Sequence, residues 1–137
     1  MKDTPGKISV RVENGKVVEI KLGTDEFICP ENVKREIEEY FLGKRKDFTF
    51  PVEIKGTPFQ KRVWAEVRKI PYGQTRTYKE IAAKLNTSPR AVGQALAKNP
   101  LPIYIPCHRV VSKSGLGGFS AGLEWKKFLI DLERGKQ

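Results

Sequence analysis

The sequence predicts an α+β fold: a small N-terminal hairpin-plus-helix domain, then a mainly helical, winged-helix-like domain containing a helix-turn-helix. Three observations predict it. Two alternating apolar runs flank Asn14-Gly15, two Thr-initiated capping boxes open helices at Thr57 and Thr77, and a proline-rich stretch and a glycine-rich loop separate the elements near the C-terminus. The boundary falls in a polar, linker-like stretch, so residues 1–56 form the first unit and 57–137 the second.

In the first unit, Ile8, Val10 and Val12 alternate with polar residues, and Val18, Ile20 and Leu22 do the same after the turn. Asn-Gly tolerates positive φ at both positions, which closes a two-residue hairpin. A helix over about Glu31–Leu42 places Val33, Ile37 and Phe41 on one face, with Gly43 ending it. Lys44–Gly56 is expected to be a linker carrying a short extended piece at Phe48–Ile54.

The second unit opens with Thr57 as N-cap, Pro58 at the first helical position and Gln60 completing the capping box. Phe59, Val63 and Val67 make its buried stripe, and Pro71-Tyr72-Gly73 stops it. Thr77 with Glu80 caps the next helix, which turns inward Ile81, Ala82 and Leu85. After Asn86-Thr87, Ser88 caps another, with Pro89 at its start and Val92, Ala95 and Leu96 inward. Two short helices joined this tightly form a helix-turn-helix. A last helix, about Leu123–Arg134, buries Trp125, Phe128, Leu129 and Leu132.

The chain has 137 residues and a net charge of +10, and the charge is lopsided. Residues 1–56 hold 11 basic and 11 acidic side chains, whereas 57–137 hold 15 against 5. A concentrated basic segment is the footprint of a polyanion binder, although a merely soluble surface gives the same count. The outward face of the second helix of the pair offers Arg90, Gly93, Gln94 and Ala97, with Lys98 at its end. Side chains this small allow close backbone approach but specify few bases. That suits DNA binding with weak sequence preference, beside the plainer reading of a helical pair inside an enzyme.

No run of about 18 apolar residues exists, so no membrane span is expected. The N-terminus shows no secretory signal, and two cysteines are too few for a disulfide framework. The expected compartment is a reducing cytoplasm, with Cys29 and Cys107 as free thiols.

Asn99 to Pro106 contains three prolines and reads as a rigid extended lead-in to Cys107-His108-Arg109-Val110-Val111. A free thiol has a pKa near ~8.5, which neighbouring positive charge or a base lowers. His108 is the one histidine in the chain. Neighbours in an extended segment point apart, so contact between thiol and imidazole requires a turn or a bridging water. Ser114–Gly122 is a glycine-rich loop without phosphate-loop spacing. Glu133 sits at the C-terminal end of the last helix, where its charge opposes the dipole. That position fits either a plain solvated carboxylate or a second use.

Together these pieces resemble the methylated-DNA–protein-cysteine methyltransferases, the 6-O-alkylguanine-DNA alkyltransferases. The carrying motifs are Asn99-Pro100, Ile105-Pro106-Cys107-His108-Arg109-Val110-Val111, Ile70-Pro71-Tyr72-Gly73 with Thr77-Tyr78, Arg90-Ala91-Val92-Gly93, and Leu129-Ile130-Asp131-Leu132-Glu133. They span about residues 57–137 in the family's order, and residues 1–56 resemble its variable domain loosely.

The resemblance implies stoichiometric transfer of an alkyl group from 6-O-alkylguanine, and from 4-O-alkylthymine, in double-stranded DNA to Cys107. It implies His108 as base through a water, Glu133 orienting His108, and Tyr78 as donor to the leaving oxygen. Arg90 would fill the gap left by a flipped nucleotide, with Gly93, Gln94, Ala97 and Tyr78 meeting the minor groove. Asn99 would tie the helix pair to the active-site segment, and Phe119, Ser120 and Ala121 would wall the pocket. Ala121 stands where many members have glycine, which narrows the room for the alkyl group. No cofactor is expected, and the working unit is expected to be a monomer. Some members hold zinc in the N-terminal domain, but here that part offers Cys29 and no histidine. No metal is therefore expected, and Cys29 reads as a small buried hydrophobe.

Overall fold

Asn14 and Gly15 both take positive φ, 52° and 76°, and the chain reverses between β1 (Lys7–Glu13) and β2 (Lys16–Thr24). The computed structural model describes residues 4–24 and 30–135, so Cys29 lies outside the described residues. The strands pair antiparallel, with Val10 opposite Ile20. Ile8, Val10, Val17, Val18 and Ile20 are buried.

Helix α1 spans Glu31–Phe41 and turns Val33, Ile37, Tyr40 and Phe41 into the core. The segment after it is more than a linker. Val17 N–H donates to Pro51 O at 2.9 Å and Glu53 N–H to Val17 O at 3.0 Å, while Phe50 is buried. Val52 makes one bridge to Val17 and no longer strand forms. Pro51 helps explain this, since it has no N–H to extend a ladder.

Helix α2 (Pro58–Val67) starts at the Thr57 capping box and packs Trp64 under α4, where the indole donates to Ala95 O at 2.9 Å. It ends before the proline stop because Lys69 and Ile70 already bond three residues back, to Glu66 O and Val67 O. Strand β3 (Arg76–Thr77) leads directly into α3 (Tyr78–Leu85), again through a complete capping box. Asn86 adopts φ 55° and ends α3, Ser88 caps α4 (Pro89–Ala97), and the pair forms the helix-turn-helix.

Beyond α4 the chain departs from the extended form that its prolines predict. Asn99–Pro106 is a compact loop, not an extended lead-in. Ile105 N–H folds back to Leu101 O at 2.8 Å, Cys107 N–H reaches Ile105 O at 2.7 Å, and Ile103 sits at φ 68°. A β-branched residue takes that conformation only where its surroundings impose it. Here the Asn99 side chain caps Leu101 N–H, and Pro100 O accepts from Ile20 N–H of β2.

Cys107–Arg109 is a single 3₁₀ turn, followed by β4 (Val110–Val111), which pairs in parallel with β3. Helix α5 (Leu123–Glu133) closes the chain against that turn. One apolar cluster runs through the whole body, joining Ile8 and Ile37 to Trp64, Val92, Leu101 and Leu129. Among the described residues no helix is long and apolar enough to cross a membrane.

Candidate active site

Cys107 lies at the meeting point of two cavities. The larger, about 690 Å³, is lined by Tyr78, Arg90, Gly93, Ala97, Gly118, Phe119 and Ser120 together with the cysteine. The smaller, about 240 Å³, opens on the other side between β2 and the loop, with Asn99, Pro100, Pro102 and Ala121 in its wall. Of the expected site residues, Gln94 is exposed on α4 and lines neither.

The 3₁₀ turn supplies the bend that an extended segment lacked. It leaves Cys107 facing the cavities while His108 is fully buried behind it. Asn99 Nδ2 donates to Ile105 O at 2.9 Å and to Cys107 Sγ at 3.1 Å, so one amide holds both the loop and the sulfur. Burial pushes the thiol up to about 11, opposed by the Asn99 hydrogen bond and the Lys126 charge. The sequence led to the opposite expectation, a thiol lowered by neighbours. Desolvation outweighs the Asn99 hydrogen bond and the Lys126 charge because Cys107 is buried.

Behind the thiol, His108 Nε2 meets Glu133 Oε2 at 2.7 Å. Glu133 is thickly bonded. Arg109 reaches both its oxygens, Nε to Oε1 at 2.8 Å and Nη2 to Oε2 at 2.9 Å, and Gly73 N–H donates to Oε1 at 3.2 Å. Tyr40 of α1 donates to Oε2 at 2.5 Å. Burial works to raise this carboxyl, but His108 and the Arg109 guanidinium hold it well below the usual carboxylate range. A carboxylate at a helix C-terminus is unfavourable by itself, and these donors compensate it.

With Glu133 ionised, Nε2 carries the imidazole hydrogen and Nδ1 the lone pair. Nδ1 is buried and finds no hydrogen-bond partner among the described residues. Burial lowers the His108 pKa, the Glu133 hydrogen bond and charge raise it, and Arg109 and Lys126 lower it. The ring is thus a neutral base at physiological pH.

Tyr78 begins α3, and its hydroxyl donates to Gly118 O at 3.3 Å. The glycine loop lies directly on it: a Cβ at Gly117, where φ is 76°, would stand 2.8 Å from that hydroxyl oxygen. Lys126 Nζ donates to Gly118 O at 2.9 Å and to Tyr78 Oη at 3.3 Å. Burial depresses Lys126 to about 8 despite the raising effect of Cys107.

Sequence reasoning missed Lys126, Arg109 and Tyr40. Lys126 stood seven residues, two helical turns, before Glu133, so the two share a face of α5, and that spacing could have exposed it. Arg109 and Tyr40 carried no comparable local signal. No group of three or more metal-binding side chains occurs among the described residues.

Fold and site define a helix-turn-helix protein whose cleft ends on a cysteine backed by a buried His–Glu pair. The profile of the 6-O-methylguanine DNA methyltransferase DNA-binding domain matches residues 58–135, and the chain belongs to that family. It is 44% identical to the methylated-DNA–protein-cysteine methyltransferase of Archaeoglobus fulgidus, over 91% of this chain and 90% of that protein. Identity to the Sulfolobus acidocaldarius protein of the same name is 53% across 72% of this chain, which spans only 63% of that relative's length. The Mycobacterium tuberculosis OGT, solved in complex with DNA, superposes with a TM-score of 0.85 at 31% identity, covering 94% of this chain and 87% of that one.

Proposed function

We propose that this chain repairs DNA by transferring an alkyl group from 6-O-alkylguanine, and from 4-O-alkylthymine, to Cys107, once per molecule. The single observation that carries the reading is the thiol at the floor of a cleft walled by α4, with the buried His108–Glu133 pair behind it. A cavity of about 690 Å³ has the size of a site for a flipped nucleoside. The small residues of α4 allow close approach to a minor groove, and exposed Arg90 stands at the rim to fill the vacated stack.

The chemistry follows from the contacts. The thiol is protonated at rest, so it needs a base at the moment of attack. A water between Sγ and the free lone pair of His108 Nδ1 would carry that proton, with Glu133 stabilising the imidazolium. The thiolate attacks the alkyl carbon, an S–C bond forms, and the C–O6 bond breaks. Tyr78 donates to the departing oxygen, and the guanine ends with the proton that the thiol gave up. The smaller cavity beside Pro100, Pro102 and Ala121 receives the alkyl group. Residues 57–137 carry the DNA and acceptor surfaces. The residues of this site lie on one chain, which supports a monomer as the working unit, and a free Cys107 thiol suits a reducing cytoplasm.

Incubation with a duplex containing 6-O-methylguanine, followed by intact mass and peptide mapping, tests this. A gain of one methyl group on Cys107 is the expected result. Unchanged mass with tight lesion binding would replace the reading with a recognition module.

A further inference from the structure

Besides the β2 residues that wall the smaller cavity, the N-terminal part touches the buried Glu133 carboxylate itself. Tyr40 lies on α1 and is fully buried, yet its hydroxyl donates to Glu133 Oε2 at 2.5 Å, across 93 residues of sequence. The same oxygen accepts from His108 at 2.7 Å and from Arg109 at 2.9 Å. The ring is fixed by packing on all sides, edge-on to Phe41 and Tyr72 and tilted against Phe48. Such a phenol has one free degree of freedom, its O–H direction, and the carboxylate consumes it.

We propose that Tyr40 is a positioning residue of the relay: its hydroxyl fixes the Glu133 carboxylate and draws off part of its negative charge, keeping His108 neutral. The role rests on the reading of His108 as the base for Cys107. A carboxylate sharing its charge with a third donor pulls less on the imidazole hydrogen, so the imidazolium is less favoured. The other charges facing His108 are Glu133 and Lys126 from α5 and Arg109 from its own turn. Burial alone already disfavours the imidazolium, and Tyr40 moderates the one strong group that favours it. The small N-terminal unit thereby tunes the acid–base chemistry of a centre built by the other unit.

Tyr40→Phe in the full, untagged chain tests this, because the ring packing is kept and His108 is the only imidazole present. Its ring-nitrogen NMR shifts, followed from pH 7.5 to 4.5 without DNA, should show protonation beginning about 0.5–1 pH unit higher than in the parent, the scale of one hydrogen bond. The acid limb of the single-turnover transfer rate should move by the same amount, with the plateau about three- to tenfold lower. Tyr72→Phe is the control. Its ring packs edge-on to Tyr40 and it feels the Glu133 charge, but among the described residues its hydroxyl makes no hydrogen bond to Glu133. Both midpoints should therefore move far less than in Tyr40→Phe. A merely structural role would lower the melting temperature and leave both midpoints in place. Coincident titrations, including two rings that stay neutral to pH 4.5, would overturn the proposal. A shifted titration with no transfer by either protein would leave Tyr40 in this role and instead remove the alkyl-acceptor reading.

Discussion

His108 Nε2 and Glu133 Oε2 stand 2.7 Å apart with their side chains 0% and 2% exposed, so the imidazole tautomer is set by a contact that water does not share. Its other nitrogen is left as a buried lone pair with no hydrogen-bond partner among the described residues.

Stoichiometry comes first. A thioether at Cys107 has no leaving path, because among the described residues the side chain hydrogen-bonded to the sulfur is Asn99, which is neither acid nor nucleophile. Transfer should stop at one alkyl group per chain, and Cys107→Ser should abolish it while duplex affinity stays within about twofold. Progress well past one equivalent, followed by quantitative mass, would contradict this.

Arg90 and Tyr78 separate unstacking from chemistry. Arg90 is exposed at the cleft rim, whereas the Tyr78 hydroxyl lies inside it. Arg90→Ala should slow transfer from duplex DNA by about tenfold or more, since flipping costs a few kcal/mol, and leave free 6-O-benzylguanine nearly unaffected. Tyr78→Phe should slow both by about 10²-fold, the lower range for a lost proton donor. Equal losses on both substrates for Arg90→Ala would place that side chain in another role.

Salt dependence maps the DNA face. Lys79, Arg90 and Lys113 all line the larger cavity, while Lys7 and Lys16 lie on the hairpin. Neutralising a phosphate-contacting cation should reduce the log–log salt slope by about 0.9. Gln at Lys79 and Lys113 should flatten the slope, and Gln at Lys7 and Lys16 should not. The reverse pattern would move the DNA to the N-terminal part.

Much of this was legible because its signals were local. Asn14-Gly15, the Thr57 and Thr77 capping boxes and the Ser88 cap each specify geometry within four residues, and each appears as the sequence suggests. Glu133 also announced itself locally, as a charge at the wrong end of a helix. The compact Asn99–Pro106 loop is not legible in its prolines, because its shape depends on Ile20 and Asn99 bonds that prolines do not encode. Tyr40 and Arg109 stayed silent for the same reason. Their partner Glu133 is distant in sequence, and burial of a tyrosine or arginine beside it leaves no periodic trace.

Acid sensitivity follows from the same buried pair. Burial holds the folded His108 pKa below its unfolded value of about 6.5. The folded protein therefore refuses a proton that the unfolded chain accepts, and stability is full above about pH 6.5 and falls below it. Glu133 is also depressed, through His108 and Arg109, so its contribution is present above about pH 4.3 and is lost at still lower pH. The two losses have the same sign and occur in sequence, histidine first. His108→Gln keeps a donor for Glu133 but removes the titration. Between pH 6 and 5, the parent's unfolding free energy should fall more steeply than the variant's, by up to about 1.4 kcal/mol per pH unit, the limit for one proton. Denaturant unfolding at several pH values measures both slopes. Parallel lines in that window would mean that the buried imidazole already accepts its proton in the folded state.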